Sequence, residues 1–237
     1  MSAILKRELS SYFKSPIAYV VLAIYYFITG LLFTLFCISS NSSSLQSIMT
    51  NWIFLLLIAI LIPIITMKSF AEEKRQKTDQ ILLTSPVSLF EIVFGKFLAA
   101  FIIYACCVAI FIVYTLIICI FTTPNFPIIL LTILGLLLLG AAIISINIFF
   151  SCLTQYQIIS VFSSLGINLF ILLFIDALGS MISSGFITKV INKISFTLNF
   201  SSFTQGILNI ANIVFFLSVT AIFIFLTIRV IDKRRYS

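Results

Sequence analysis

Residues 68–96 read KSFAEEKRQKTDQILLTSPVSLFEIVFGK. Nine of the chain's 21 charged residues fall in them: Lys68, Glu72, Glu73, Lys74, Arg75, Lys77, Asp79, Glu91 and Lys96. The flanking runs, Ile48–Met67 and Phe97–Phe121, carry no charge at all. Such a contrast decides the fold class. The 237 residues are 62% hydrophobic and 9% charged, with a mean hydropathy of +1.26, whereas a soluble domain carries about 25% charged residues. The solvent that fits this chain is the bilayer. Its length is therefore counted in crossings of about 20 apolar residues each.

Working outward from the charged island, the apolar runs predict six crossings, at about 17–37, 48–67, 97–121, 128–153, 158–178 and 210–230. Each is long enough, at about 1.5 Å rise per residue, to cross the hydrocarbon layer as a helix. Backbone groups in lipid must be satisfied within their own segment, and barrel strands would alternate polar with apolar residues. These runs do not alternate. The expectation is an all-α integral membrane protein, one domain over residues 1–237.

Orientation follows from the basic residues, which collect in short loops on the cytoplasmic side. With the N-terminus inside, twelve Lys and Arg lie in the inner segments, against only Lys189 and Lys193 outside. Both termini and the island are then cytoplasmic, and the segments 39–50, 122–127 and 179–206 face outward. Lys6, Arg7 and Lys14 precede a run from Ile17 to Cys37 that is too long for a signal-peptide core and is followed by no A-x-A site. It reads as an uncleaved first span. The net charge of +7 is accounted for by topology and anionic lipid. No basic stripe with interleaved aromatics stands in a soluble segment, so nucleic acid is not a partner.

Several chemistries lack their residues. There is no histidine and no CxxC among Cys37, Cys106, Cys107, Cys119 and Cys152, so neither a metal site nor a Cys–His pair is expected. There is no G-x-x-x-x-G-K-[ST]. No ionisable group lies near the centre of a span, where a carrier driven by ions would keep one. Asp176 stands alone near an outer end. If the protein moves something uphill, energy enters from another protein, and the island is the port. An ion-coupled carrier or channel, and a scaffold without transport, are the rival readings.

Three local patterns refine this picture. Residues 3–14 place Ile4, Leu5, Leu9, Tyr12 and Phe13 at helical spacing between Lys6, Arg7, Ser10 and Lys14, an amphipathic helix at the inner interface. Ser15-Pro16 reads as an N-cap with proline at the first helical position. Ser69–Leu83 reads as a charged helix that stops before Pro86, and Ser88 with Glu91 forms a capping-box spacing ahead of the third span. Within the spans, Pro63 is a hinge or a tolerated kink. Ala105/Ala109, Ala141/Ser145 and Ser160/Ser164 offer close helix packing. The outer segment 179–206 should form one or two short helices in the outer leaflet.

The stretch from Thr66-Met67-Lys68-Ser69-Phe70-Ala71-Glu72-Glu73-Lys74-Arg75 through Thr78, Leu82-Leu83-Thr84-Ser85-Pro86-Val87-Ser88, Glu91-Ile92-Val93 and Gly95-Lys96-Phe97 resembles the signature loop of ABC-2 type transporter permeases, and most closely their gliding-motility-type branch. Lys6-Arg7-Glu8-Leu9 at the start and Gly206-Ile207-Leu208 near the end are similar too. The resemblance implies a permease subunit that pairs with a second permease, identical or not, and with two cytosolic ABC ATPase subunits in a bacterial inner membrane. ATP and magnesium would sit on those ATPases, and this chain would bind no cofactor. It implies that Glu72, Glu73, Lys74, Arg75, Thr78, Asp79, Leu82, Ser85 and Pro86 dock on the ATPase, and that Ser88, Glu91, Gly95 and Lys96 start the helix that receives the motion. Where the family has Gly-Thr-x-Glu, this chain has Lys77-Thr78-Asp79-Gln80. Where Asp commonly follows Gly-Ile-Leu, it has Asn209.

Overall fold

The computed structural model describes residues 2–38, 45–75, 88–121, 125–181 and 191–235, and among them every regular element is helical. In order these are α1 (Ser2–Lys14), α2 (Pro16–Phe33), α3 (Gln46–Met49), α4 (Trp52–Thr66), α5 (Ala71–Arg75), α6 (Leu89–Val108), α7 (Ile110–Phe121), α8 (Phe126–Leu153), α9 (Gln157–Leu169), α10 (Ile175–Met181), α11 (Phe196–Thr204) and α12 (Ile210–Arg235). Wide π turns at Thr34–Ile38 and Phe170–Phe174 extend α2 and join α9 to α10. Six stretches are long and apolar enough to cross a membrane: Pro16–Ile38, Trp52–Arg75, Leu89–Phe121, Phe126–Leu153, Gln157–Gly179 and Ile210–Lys233. They are spans one to six.

Span four is the axis of the bundle. Residues 141–148 are buried on every side, because α8 packs against α4, α6, α9, α11 and α12. Two glycines let neighbours reach its backbone. A Cβ on Gly140 would lie 2.0 Å from the Tyr104 ring, and one on Gly135 would lie 2.6 Å from Phe203. The Tyr104 hydroxyl uses this closeness to donate to the Leu136 carbonyl at 3.0 Å, which satisfies a buried polar group that would otherwise be costly. Ala141/Ser145 and Ser160/Ser164 are buried as close packing requires, but Ala109 is exposed at the break between α6 and α7.

The structure moves several expected boundaries, each for a local reason. Span two starts at Trp52 and not at Ile48, because Asn51 is extended and its side chain accepts from the Ile53 amide, capping a fresh helix. Ser15 stands at the N-cap of α2, but its hydroxyl turns back and donates to the Tyr12 carbonyl at 3.1 Å, closing α1. The charged helix begins at Ala71, not Ser69. Residues 67–70 turn, and the Ser151 hydroxyl of span four accepts from the Phe70 and Ala71 amides at 3.3 Å each, so another helix supplies the cap. The rest of that expected helix lies outside the described residues.

Pro63 has a partner that spacing could not show. Lacking an N–H, it leaves the Ala59 carbonyl without its intrahelical donor. Asn168 of span five donates to that carbonyl at 3.3 Å. The bend is thereby tied to a neighbouring helix, which is how a buried orphan carbonyl in lipid is satisfied.

Candidate functional site

The basic N-terminal segment folds as α1 and packs against the start of span three. Gly95 makes room for it: a Cβ there would come 3.1 Å from Ile4. Tyr12, buried at the other end of α1, donates its hydroxyl to the Ile65 carbonyl of span two at 2.8 Å. This carbonyl lies near the end of α4, where the last turn of a helix leaves acceptors open. One short helix is thus fastened to two spans.

Between these contacts lies a four-charge cluster. The Lys96 ammonium, 1% exposed, sits 2.9 Å from Glu73 Oε1 and 3.2 Å from Glu8 Oε1. It also donates to the Ser69 carbonyl at 2.6 Å and lies 4.9 Å from the centre of the Phe70 ring. Arg7 caps the cluster from the outside, reaching Glu8 at 2.8 Å and Glu73 at 2.9 Å. Two cations face two carboxylates, so the formal charges cancel. Lys96 follows Gly95 two turns into an apolar helix, a position where an unpaired ammonium would cost several kcal/mol by an order-of-magnitude estimate. Its partners come from the turn after span two, from α5 and from α1. The Glu8 hydrogen bond is the main cause that holds the Arg7 guanidinium above its ordinary pKa, and burial, followed by Glu8, Glu72 and Glu73, raises the Tyr12 phenol.

A polar cleft of about 340 Å³ opens beside the cluster, lined by Arg7, Glu8, Ser11, Tyr12, Lys68 and Glu72 among others. Of the expected coupling residues, Glu73 turns inward to Lys96 and Arg7, while Glu72 borders the cleft and Arg75 is exposed at the end of α5. Thr78, Asp79, Leu82, Ser85 and Pro86 lie outside the described residues. Ser88 caps α6 by accepting from the Glu91 amide at 3.3 Å, and Gly95 and Lys96 follow in the same unbroken helix. Span three is therefore continuous with the segment that Lys96 anchors. Sequence reasoning missed Glu8 and Arg7 as members of this site. The available signal was Lys96 itself, a lysine between Gly95 and Phe97 in an apolar helix, which demands a carboxylate partner. Among the described residues no group of His, Cys, Asp and Glu could hold a metal ion. The arrangement holds α1, α5 and span three together.

The opposite end is fastened differently. The Ser195 hydroxyl donates to Asp176 and accepts from the Leu198 amide, so it both caps α11 and ties it to α10. Asp176 therefore serves a structural contact. Phe196, Phe200 and Phe203 of α11 are buried, and Gly206 at φ +77° ends the helix with Ile207 N–H bonded to the Ser202 carbonyl. Within the segment 179–206, α11 is a short helix, and residues 182–190 lie outside the described residues.

No curated protein matches the chain significantly. The family described as ABC-2 family transporter protein matches residues 35–231, most of the chain, which therefore belongs to that family.

Proposed function

From that membership we propose how the permease works. The chain is a multi-pass permease component of an ABC transporter; the proposal concerns the drive. A separate cytosolic ATPase, two copies per transporter, docks on α5 and on residues 76–87, and a second permease subunit completes the pathway. ATP binding closes the ATPases and pushes α5. The buried cluster passes that push to span three through Lys96 and to α1 through Arg7 and Glu8. The single observation behind this reading is the continuity from Glu73 through Lys96 into an unbroken α6. The direction proposed is export across a bacterial inner membrane; cytoplasmic termini agree with the distribution of basic residues.

The test uses Glu72 at the cleft and the exposed Arg75, since reversing Glu73 would break the cluster itself. Glu72→Lys with Arg75→Glu, expressed at the native locus, should lower capture of an ATP-binding-cassette subunit from detergent-solubilised membranes while the permease stays monodisperse. Capture equal to wild type, or a wild-type complex without any such subunit, would sink the docking assignment.

A further inference from the structure

An apolar groove of about 610 Å³ lies between spans three, four and six. Four phenylalanines of span three form one wall. Phe90 and Phe94 stack at 5.4 Å, Phe94 and Phe97 lie 5.9 Å apart, and Phe97 and Phe101 stack at 6.0 Å. Span six forms the other wall from Leu217 to Ile228, and Ala141 of span four lies at the floor. The only polar lining residue among those described is Thr220, whose hydroxyl turns back to donate to the Phe216 carbonyl at 2.8 Å. Nothing in the groove can recognise a polar molecule.

Its length and its mouth identify an occupant. From Phe90 to Phe101, and again from Leu217 to Ile228, the walls run twelve residues, whose end-to-end rise is about 16 Å of helix. This is close to half of the hydrocarbon core, about 15 Å. The groove is one leaflet deep, and it lies in the half of the bundle that contains the start of span three and the end of span six. At that end Arg229 lies over the Phe225 ring, 5.0 Å from its centre. Phe225 lines the groove. Among the described residues Arg229 forms no ion pair, although Asp232 stands one turn further on in the same helix and Glu91 starts span three. Span six closes with Arg229, Lys233, Arg234 and Arg235 against Asp232 alone.

We propose that this groove holds an acyl chain of an anionic phospholipid from the leaflet next to the basic end, with Arg229 binding the phosphate headgroup. The aromatic ladder gives a rigid wall for the chain. A cation at the mouth that stacks on Phe225 and forms no ion pair among the described residues gives the preference for an anionic headgroup. The site stands apart from the coupling cluster and does not depend on the ATPase reading.

Native mass spectrometry of the full chain, released from detergent containing equal phosphatidylglycerol and phosphatidylcholine, reads it directly. Wild type should retain lipid and favour phosphatidylglycerol by about fivefold, the factor one basic residue near an anionic surface contributes. Arg229→Gln should bring the two lipids to near parity with lipid still bound, and Arg229→Lys should keep the preference. Ala221→Trp should displace both lipids, and the milder Ala221→Leu should weaken both if the tryptophan variant does not fold. Three results overturn the proposal: wild type retaining no lipid, a preference unchanged in Arg229→Gln, or full lipid retention in a folded Ala221 variant. Loss of a permease dimer in the Ala221 variants, with no lipid on wild type, would assign the groove to a second copy.

Discussion

Each end of the bundle fastens a short helix to the long ones, and the two ends use opposite chemistry. At one end α1 is held by Arg7, Glu8, Glu73 and Lys96, with the Tyr12 hydroxyl on span two. At the other, α11 is held by Phe203 against Gly135, by buried Phe196 and Phe200, and by the Ser195–Asp176 contact. Apolar packing of that kind is insensitive to small charge rearrangements. A charge cluster is not, because each partner's burial is tolerable only while the others stay in place. The first end therefore responds to a rearranged charge and the second does not, which is the difference that the proposed drive uses.

The largest effect should come from breaking the ionic end. Lys96→Met leaves Glu8 and Glu73 sharing the half-exposed Arg7 alone beside an apolar helix, and should cost about 3 kcal/mol, read as a lowered unfolding midpoint in mild detergent. Adding Glu8→Gln and Glu73→Gln should restore most of it. If the triple variant is no better than the single one, the cluster is not the fastening. At the passive end, Gly135→Ala places a methyl 2.6 Å from Phe203 and should cost about 1–3 kcal/mol by overpacking, with no recovery from any change of charge. Ser195→Ala removes the α11 cap and the tie to Asp176, and should cost about 1 kcal/mol, detected as faster proteolysis near residues 191–204. A cost equal to that of Lys96→Met would erase the contrast between the ends.

The smallest effect is on pH. Burial and the nearby acids hold the Tyr12 phenol above its ordinary value near 10. The folded protein keeps a proton that the unfolded chain releases, so the contribution of Tyr12 is complete below about pH 10 and declines as pH rises further. Melting points should fall more steeply above pH 10 in wild type than in Tyr12→Phe.

The spans were legible because a charge-free run of about twenty residues has one stable solution in lipid. Capping at Ser88 was legible for a similar reason, since the group it satisfies lies three residues away. What spacing could not show are pairings between distant segments. Ser151 caps α5 from span four, and Asn168 answers the carbonyl that Pro63 frees in span two. Glu8 is 88 residues from Lys96. The last two were half visible, as a proline with a freed carbonyl and a lysine in an apolar helix. The sequence raises the demand, and only the packing of the bundle identifies the group that meets it. Ser69 shows the reverse case. Its helical pattern is real, but its carbonyl goes to Lys96 and the chain turns there instead.

The account depends on the charged end being the driven end, and one labelling experiment addresses that. In a variant with its five native cysteines replaced, Arg75→Cys should react with a membrane-impermeant maleimide in inverted membrane vesicles and not in intact cells. Adding the purified ATPase partner should protect it. Reaction from the outside of intact cells, or labelling indifferent to the partner, would contradict the account.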